Sequence, residues 1–257
     1  MRIAIYTCLV GNYDDLYDPV VKQGYDYICF TDNVDNKQSN VWKFRNIPYK
    51  CEDLTRLSRF VKILPHIALP EYDYSLWIDA NIQIIDNSFY DIIENLVSLD
   101  VLIAQVPHNR HNCVYEDIKH AYKREKVHFK DAFRQYKHLI EEGYPKDNGL
   151  FENNLILRKN NAEKVVRISE SWWKEYITYS KRDQFSLVYV YWLNNFKPAL
   201  IFENGLNTRN ADCLKYHGHN PKPKIGSPAT MYNALCRVIR HILHFFISPI
   251  MLKKFSI

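Results

Sequence analysis

Neither a C-x-x-C pair nor a glycine-rich, basic first loop nor a long apolar run occurs in this sequence, and each absence excludes something. Without C-x-x-C spacing, Cys8, Cys29, Cys51, Cys113, Cys213 and Cys236 offer no zinc or dithiol redox motif. Cys8 and Cys29 lie inside apolar runs, so the set reads as reduced, buried small hydrophobes. No apolar stretch reaches the ~20 residues that cross a bilayer. Strand-like sequence starts at Arg2, which leaves no secretory leader, and a cytoplasmic chain is expected. Lys and Arg number 34 against 29 Asp and Glu, a net charge of +5. That excess suits an anionic ligand or a membrane surface. It is too small to argue for nucleic acid, and no nucleic-acid-binding signature occurs. Internal repeats and low-complexity tracts are missing as well.

What is present is ordinary for a globular chain: 257 residues, 47% hydrophobic and 25% charged, at the upper end for one domain. Aromatics are abundant, with 19 Tyr, 13 Phe and 5 Trp. Some suit stacking on sugar faces, while most are expected in the core and its rim.

The chain is organised around Leu57 to Ile84. Leu54 to Ala68 reads as one helix. Leu57, Phe60, Val61, Leu64 and Ala68 share its apolar face, and Thr55, Arg59, Lys62 and His66 give the opposite face a basic ridge. After Pro70 a buried strand, Tyr74 to Ile78, ends in Asp79-Ala80-Asn81. In open α/β sheets the ligand crevice lies outside such strand ends. Oxygen ligands there, with Arg and Lys nearby, suit a divalent cation and a diphosphate. Alone, Asp79 reads more readily as a turn residue, and the basic face as a solvated one; their combination in this order is what points to a site.

The string Leu57-Ser58-Arg59-Phe60-Val61-Lys62-Ile63-Leu64-Pro65-His66, followed by Leu76-Trp77-Ile78-Asp79-Ala80-Asn81-Ile82, resembles a glycosyltransferase-like family first described as a domain of unknown function. That family includes plant mucilage and pectin glycosyltransferases and bacterial surface-polysaccharide enzymes. More distantly the string is similar to the GT-A fold of glycogenin-like retaining transferases. The resemblance covers Ile3 to about His219. It implies an α/β, Rossmann-like GT-A fold with a mixed, mostly parallel sheet flanked by helices. It also implies a nucleotide diphosphate sugar donor and a growing surface glycan, lipid-linked, as acceptor.

Within that frame, the loop after the first strand (Ile3 to Val10) is expected to hold base and ribose through Thr7, Val10, Gly11 and Tyr13. Gly11 suits a plain β-turn equally. Tyr25 to Phe30 leads to Asp32, a further nucleotide candidate or loop cap. Val41 to Ile47 reads as a more exposed strand, and Ser88 as the cap of a helix reaching about Leu99. His108 and Arg110, in a loop after the strand Val101 to Val106, are candidates for donor sugar or phosphate. Val114 to Lys126 and His128 to Glu142 read as charged amphipathic helices. Glu152, Asn153 and Asn154 open an apolar strand, and the resemblance places Glu152 near the anomeric carbon. Asn161 to Tyr179 is a helix, and Asp183 opens the next one. Asp183 is comfortable at a helix start; the resemblance also makes it a candidate to position or deprotonate the acceptor.

Residues 203 to 220 read as an irregular polar tail after a last strand, Ala199 to Phe202. By resemblance to metal-dependent GT-A enzymes, Asp79, Asn81 and His217, with His219 as alternative, are the expected ligands of Mn²⁺ or Mg²⁺. Asn81 stands where the usual motif has a second Asp. Its carbonyl oxygen ligates without charge, and metal dependence is left open. The transferase domain is expected over 1–220. A Pro/Lys linker follows, then a basic amphipathic helix within 229–257, which suits either peripheral membrane contact or docking on the domain or on a second copy. Two alternatives stand beside glycosyl transfer. A sugar nucleotidyltransferase is disfavoured by the missing glycine-rich first loop, and a non-catalytic carbohydrate-binding protein is allowed by Asn81.

Overall fold

The structure, a computed structural model, describes residues 1–11, 14–35, 37–219 and 249–255. A seven-stranded mixed sheet forms its centre. In chain order its strands are β1 (Ile3–Leu9), β2 (Tyr25–Thr31), β3 (Lys43–Asn46), β4 (Tyr74–Ile78), β6 (Ile103–Pro107), β7 (Phe151–Lys159) and β8 (Ala199–Leu200). A two-stranded ribbon pairs β5 (Ile82–Ile84) with β9 (Leu214–Tyr216). The helices are α1 (Leu54–Ile63), α2 (Pro65–Ala68), α3 (Ser88–Ser98), α4 (Val114–Lys123), α5 (Phe129–Glu141), α6 (Glu163–Thr178) and α7 (Gln184–Leu193).

Spatial order in the sheet is β3-β2-β1-β4-β7-β6-β8. Neighbours are parallel except β7, which runs against both β4 and β6. The start of β7 therefore lies beside the carboxyl ends of β4 and β6, and one sheet edge gathers all three. Period-two alternation sends side chains to two covered faces. Ile3, Ile5, Leu76, Leu155 and Leu157 pack toward α3 and the β5–β9 ribbon. Ala4, Tyr6, Trp77 and Ile156 pack toward α1, α2, α6 and α7.

Four expectations change. The helix expected over Leu54 to Ala68 is two helices. Pro65 lacks an N–H and disfavours helical backbone at Leu64, which sits at φ −114° and ψ 60°. His66 therefore leaves the ridge, and its Nε2 lies 3.9 Å from Glu170 instead. At α3 the cap position falls on Asn87, not Ser88, and the carboxylate of Asp86 before it accepts from the Ser88 N–H at 2.8 Å. The tail expected to be irregular contributes β9, because Leu214 buries itself against Ile84 and the backbone of β5 supplies a partner.

Finally, residues 249–255 return to the domain. Phe255 is fully buried among Tyr122, Phe129, Phe133 and Tyr136, and Tyr136 donates to its carbonyl at 2.5 Å. The remainder of the expected C-terminal helix and linker, like Tyr13 and Cys236, lies outside the described residues. Among the described residues the five cysteines are free thiols, and no helix is long and apolar enough to cross a membrane.

Candidate functional site

The site is built where α1 ends over the carboxyl edge of the sheet. Asp53 caps α1 by accepting from the N–H groups of Thr55 and Arg56, at 3.0 and 3.2 Å. At the other end Arg158, 1% exposed, donates from Nη2 to the Lys62 carbonyl and to the Tyr6 hydroxyl, both at 2.7 Å. A guanidinium at a helix C-terminus also suits the helix dipole. Burial pushes the Tyr6 phenol up to about 12, outweighing the nearby Arg158 charge, so it stays a neutral partner.

This anchoring turns Lys62 inward rather than onto an outer ridge. Its side chain is 2% exposed, and Nζ lies 2.8 Å from Asp183 Oδ2 and 3.5 Å from Asp79 Oδ1. It also sits 5.2 Å above the Trp77 ring. Arg59, one turn earlier and 28% exposed, approaches Asp183 Oδ2 with Nε at 3.3 Å. Burial pushes the Asp183 carboxyl up, but Lys62, Arg59 and Arg182 outweigh it and hold the group far below the usual carboxylate range. Asp183 is thus a fixed anion that organises two cations. A carboxylate held so firmly ionised is a poor proton acceptor at neutral pH.

Asp79 is placed from two sides. Its N–H donates to the Asn154 carbonyl at 2.9 Å, tying β4 to β7 beyond the last paired residues. Trp77, two residues earlier on the same strand face, donates from Nε1 to Oδ1 at 2.7 Å. Oδ2 has no bond among the described residues, and the side chain is 36% exposed.

Beside it, β7 carries a register shift opposite Gln105 and Val106, which re-aims residues 152–155. Glu152 accepts from Arg209 Nη1 at 2.6 and 2.7 Å and from Asn154 Nδ2 at 2.8 Å. Asn154 also donates to the buried Thr208 hydroxyl at 2.8 Å. Glu152 is therefore not an open carboxylate but one jaw of a clamp. Asn153 accepts from Gln105 at 3.0 Å, and its Nδ2 is buried without a partner, as is Asn154 Oδ1.

The nucleotide candidates divide. Gly11, at φ +61°, donates its N–H to Asp32 Oδ2 at 3.1 Å, which closes the loops after β1 and β2 against each other. A Cβ there would lie 2.6 Å from Leu54 Cδ1, so only glycine lets this loop meet the start of α1. Val10 is half-buried at the strand end. Thr7 is fully buried in β1, with a hydroxyl that has no partner. His108 accepts from the N–H of His111 at 2.9 Å and faces Asp117 at 3.9 Å; burial lowers its pKa despite that carboxylate. Its ring organises the loop, while Arg110 is exposed.

The metal expectation meets a different arrangement. Asn81 is 3% exposed, and its side-chain amide donates from Nδ2 to the His217 backbone carbonyl at 3.0 Å, while the His217 N–H donates to the Asn81 backbone carbonyl at 2.8 Å. The His217 ring stacks on Tyr17 at 3.6 Å and pairs its Nε2 with Gln83 at 3.0 Å. Both residues are thus engaged in closing the β5–β9 ribbon. Among the described residues no three His, Cys, Asp or Glu are placed to hold a metal ion. As they stand, Asn81 and His217 bond to each other and to Gln83, and Asp79 Oδ1 faces the Lys62 ammonium, so the three are not gathered into a ready-made cage.

Two features escaped the sequence reading. Trp77 was visible two residues before Asp79, on the same side of the strand. Thr208 and Arg209, which hold Glu152, carried no signal, because the contact spans 56 and 57 residues of sequence.

A sheet of this order, with one reversed strand and an acidic strand end facing a buried cation cluster, is a mixed, mostly parallel α/β domain flanked by helices, as the sequence predicts. The TOD1/MUCI70 glycosyltransferase-like domain model matches residues 1–212, and the chain belongs to that family. No curated protein matches the sequence. Among solved structures, the apo form of the WbbM bifunctional glycosyltransferase is similar at 11% identity and TM-score 0.42, covering 73% of this chain and 37% of WbbM. The present chain thus spans about a third of that protein's length. Apo mouse xyloside xylosyltransferase 1 is similar at 8% identity and TM-score 0.43, covering 77% of this chain and 84% of its own.

Proposed function

We propose that the chain transfers a sugar from a nucleoside diphosphate sugar to an acceptor hydroxyl on a growing surface glycan, with retention at the anomeric carbon. The observation that carries this reading is the Lys62–Asp183–Arg59 cluster set against Asp79 at the carboxyl edge of the sheet. Arg59, Lys62 and Arg182 act on this neighbourhood, against the carboxylates Asp79 and Asp183. Three cations against two anions leave a net positive charge that complements a diphosphate.

In this reading the Gly11–Asp32 closure receives base and ribose. Oδ2 of Asp79 accepts from a ribose hydroxyl. Arg59, the partly exposed cation, meets the leaving diphosphate, and Lys62 holds Arg59's counter-ion and Asp79 in place from beneath. Asn153 Nδ2 and Asn154 Oδ1 are unpaired polar atoms that suit sugar hydroxyls. Asp183 and Glu152 are both ion-paired, so neither is suited to take the acceptor proton. That favours retention: the glycosidic bond breaks, the diphosphate oxygen leaves as an anion, and the same oxygen accepts the proton of the attacking hydroxyl on the same face. Because the three expected ligands do not form a cage, no step is assigned to a metal ion.

The test is nucleoside diphosphate release from a panel of sugar nucleotides, for the parent and for Arg59→Ala. The expected result is turnover with one donor and a loss of about 100-fold in kcat for R59A, the scale of one lost charge-stabilising donor. Failure to bind or turn over any sugar nucleotide would leave a carbohydrate-binding role instead.

A further inference from the structure

Next to the site stand four cations that form no ion pair among the described residues. Arg110 lies on the loop after β6, at the sheet edge that carries Asp79, and that loop is fixed by the His108 N–H donating to the Leu150 carbonyl at 2.9 Å. Arg124 and Lys126 follow the last turn of α4, where the Lys126 N–H donates to the Ala121 carbonyl at 2.9 Å. The His111 and His120 rings, 5.2 Å apart, hold the loop and that turn together. Arg182 precedes Asp183, lies 5.6 Å from the Phe185 ring centre, and has a buried Nε without an acceptor.

Burial lowers the Lys126 ammonium, and Arg182, Arg124 and Arg110 outweigh the opposing Asp117 carboxylate, so four cations and one anion share one neighbourhood. Arg182 also bears on Asp183, which makes the cluster continuous with the site. Among the described residues none of the four forms an ion pair. Elsewhere Lys43, Arg45 and Lys159 each sit 2.6 Å from a carboxylate. Four like charges held together repel one another, and an anionic ligand relieves that repulsion.

We propose that this basic rim is the acceptor subsite, and that the acceptor is an anionic glycan bearing carboxylates or phosphates beside the accepting hydroxyl. The inference rests on the glycosyl-transfer reading of the neighbouring site. Arg182 adjoins Asp183 in the chain, while Arg110 lies on the loop after β6 and Arg124 and Lys126 at the end of α4.

The experiment measures equilibrium binding of three oligosaccharides at low and high salt: one of uronic acids, one phosphorylated and one neutral. The proteins are the parent, Arg124→Glu/Lys126→Glu, and the milder Arg124→Gln/Lys126→Gln. The parent is expected to bind an anionic oligosaccharide and not the neutral one, and the arm that binds identifies the anion. Charge reversal is expected to weaken that binding by about tenfold or more and flatten its salt dependence, with neutralisation in between. Nucleoside diphosphate affinity, measured on the same proteins, stays within about twofold. Equal binding of the neutral oligosaccharide, no binding of either anionic one, or unchanged binding by the reversed variant overturns the proposal. Absence of nucleotide binding by the parent would sink the donor reading separately.

Discussion

Replacing Lys62 tests the central cluster most directly. Lys62 is 2% exposed and Asp183 10% exposed, and their charged atoms lie 2.8 Å apart. Removing one member of a buried pair leaves the other uncompensated, at a cost of roughly 3–5 kcal/mol. Lys62→Met keeps the stem volume and removes the charge, and Asp183 then depends on Arg59 and, to a lesser extent, Arg182. Asp183→Asn leaves Lys62 buried beside Asp79, its more distant partner. Each single variant is therefore expected to lower the melting temperature by about 10 °C, given ~2–4 °C per kcal/mol for a chain of this size. The double variant Lys62→Met/Asp183→Asn is expected to recover much of that loss, because neither charge remains unpaired.

The same pair sets a pH dependence with a fixed sign. The folded Asp183 carboxyl is depressed below its unfolded value, since Lys62 and Arg59 outweigh burial. Its contribution is therefore present above the unfolded carboxylate pKa of about 4 and fades as pH falls through that value toward the folded one. Denaturation midpoints from pH 7 down to pH 3 should show the parent's advantage over Asp183→Asn shrinking in the acid range. If each single variant costs under about 1 kcal/mol and the two effects add, the pair is not coupled and the reasoning fails.

Three further outcomes follow from particular contacts. Gly11→Ala meets a positive φ and a Cβ position 2.6 Å from Leu54, so it should cost about 1–2 kcal/mol in urea unfolding and weaken nucleotide affinity. Trp77→Phe keeps most of the core contact but deletes the bond to Asp79. It should cost about 1 kcal/mol in stability while raising the donor KM more than it lowers kcat, measured by steady-state kinetics. Phe255→Ala opens a hole between α4 and α5 and should cost about 3–5 kcal/mol by chemical denaturation; a cost near zero would show that the C-terminal segment does not dock there.

The sequence made the sheet legible because its strands are short apolar runs ended by polar residues, and those ends are where candidate side chains fall. Arg59, Lys62 and Asp79 were legible for the same reason, since helical and strand periods fix which residues share a side. Asp183 was legible as a site residue, but its partners were not. The bond from Lys62 spans 121 residues of sequence to reach it, and nothing local in Lys181-Arg182-Asp183-Gln184 says which cation answers. The break at Pro65 was written in the sequence but outweighed by a helical pattern that ran through it. β9 was illegible because a three-residue strand carries too little periodicity to stand apart from polar surroundings.

The burial of Lys62 changes what the basic helix face is for. An exposed lysine would offer a donor group to a phosphate directly and gain little in water, where such pairs are worth about 1 kcal/mol or less. A buried lysine cannot touch the ligand, yet it sets the orientation of everything that can. It draws Asp183 inward, so that Asp183 steadies Arg59, and it approaches the same Asp79 oxygen that Trp77 binds, leaving the other oxygen free. Arg158 holds the Lys62 backbone carbonyl from below, so the arrangement is fixed before any ligand arrives. Preorganised charge of this kind stabilises a leaving anion without reorganisation at the moment of bond cleavage. The polar groups at this sheet edge are thus arranged as a scaffold for one accessible cation and one free carboxylate oxygen, and donor binding should depend more steeply on Lys62 than its lack of ligand contact would imply.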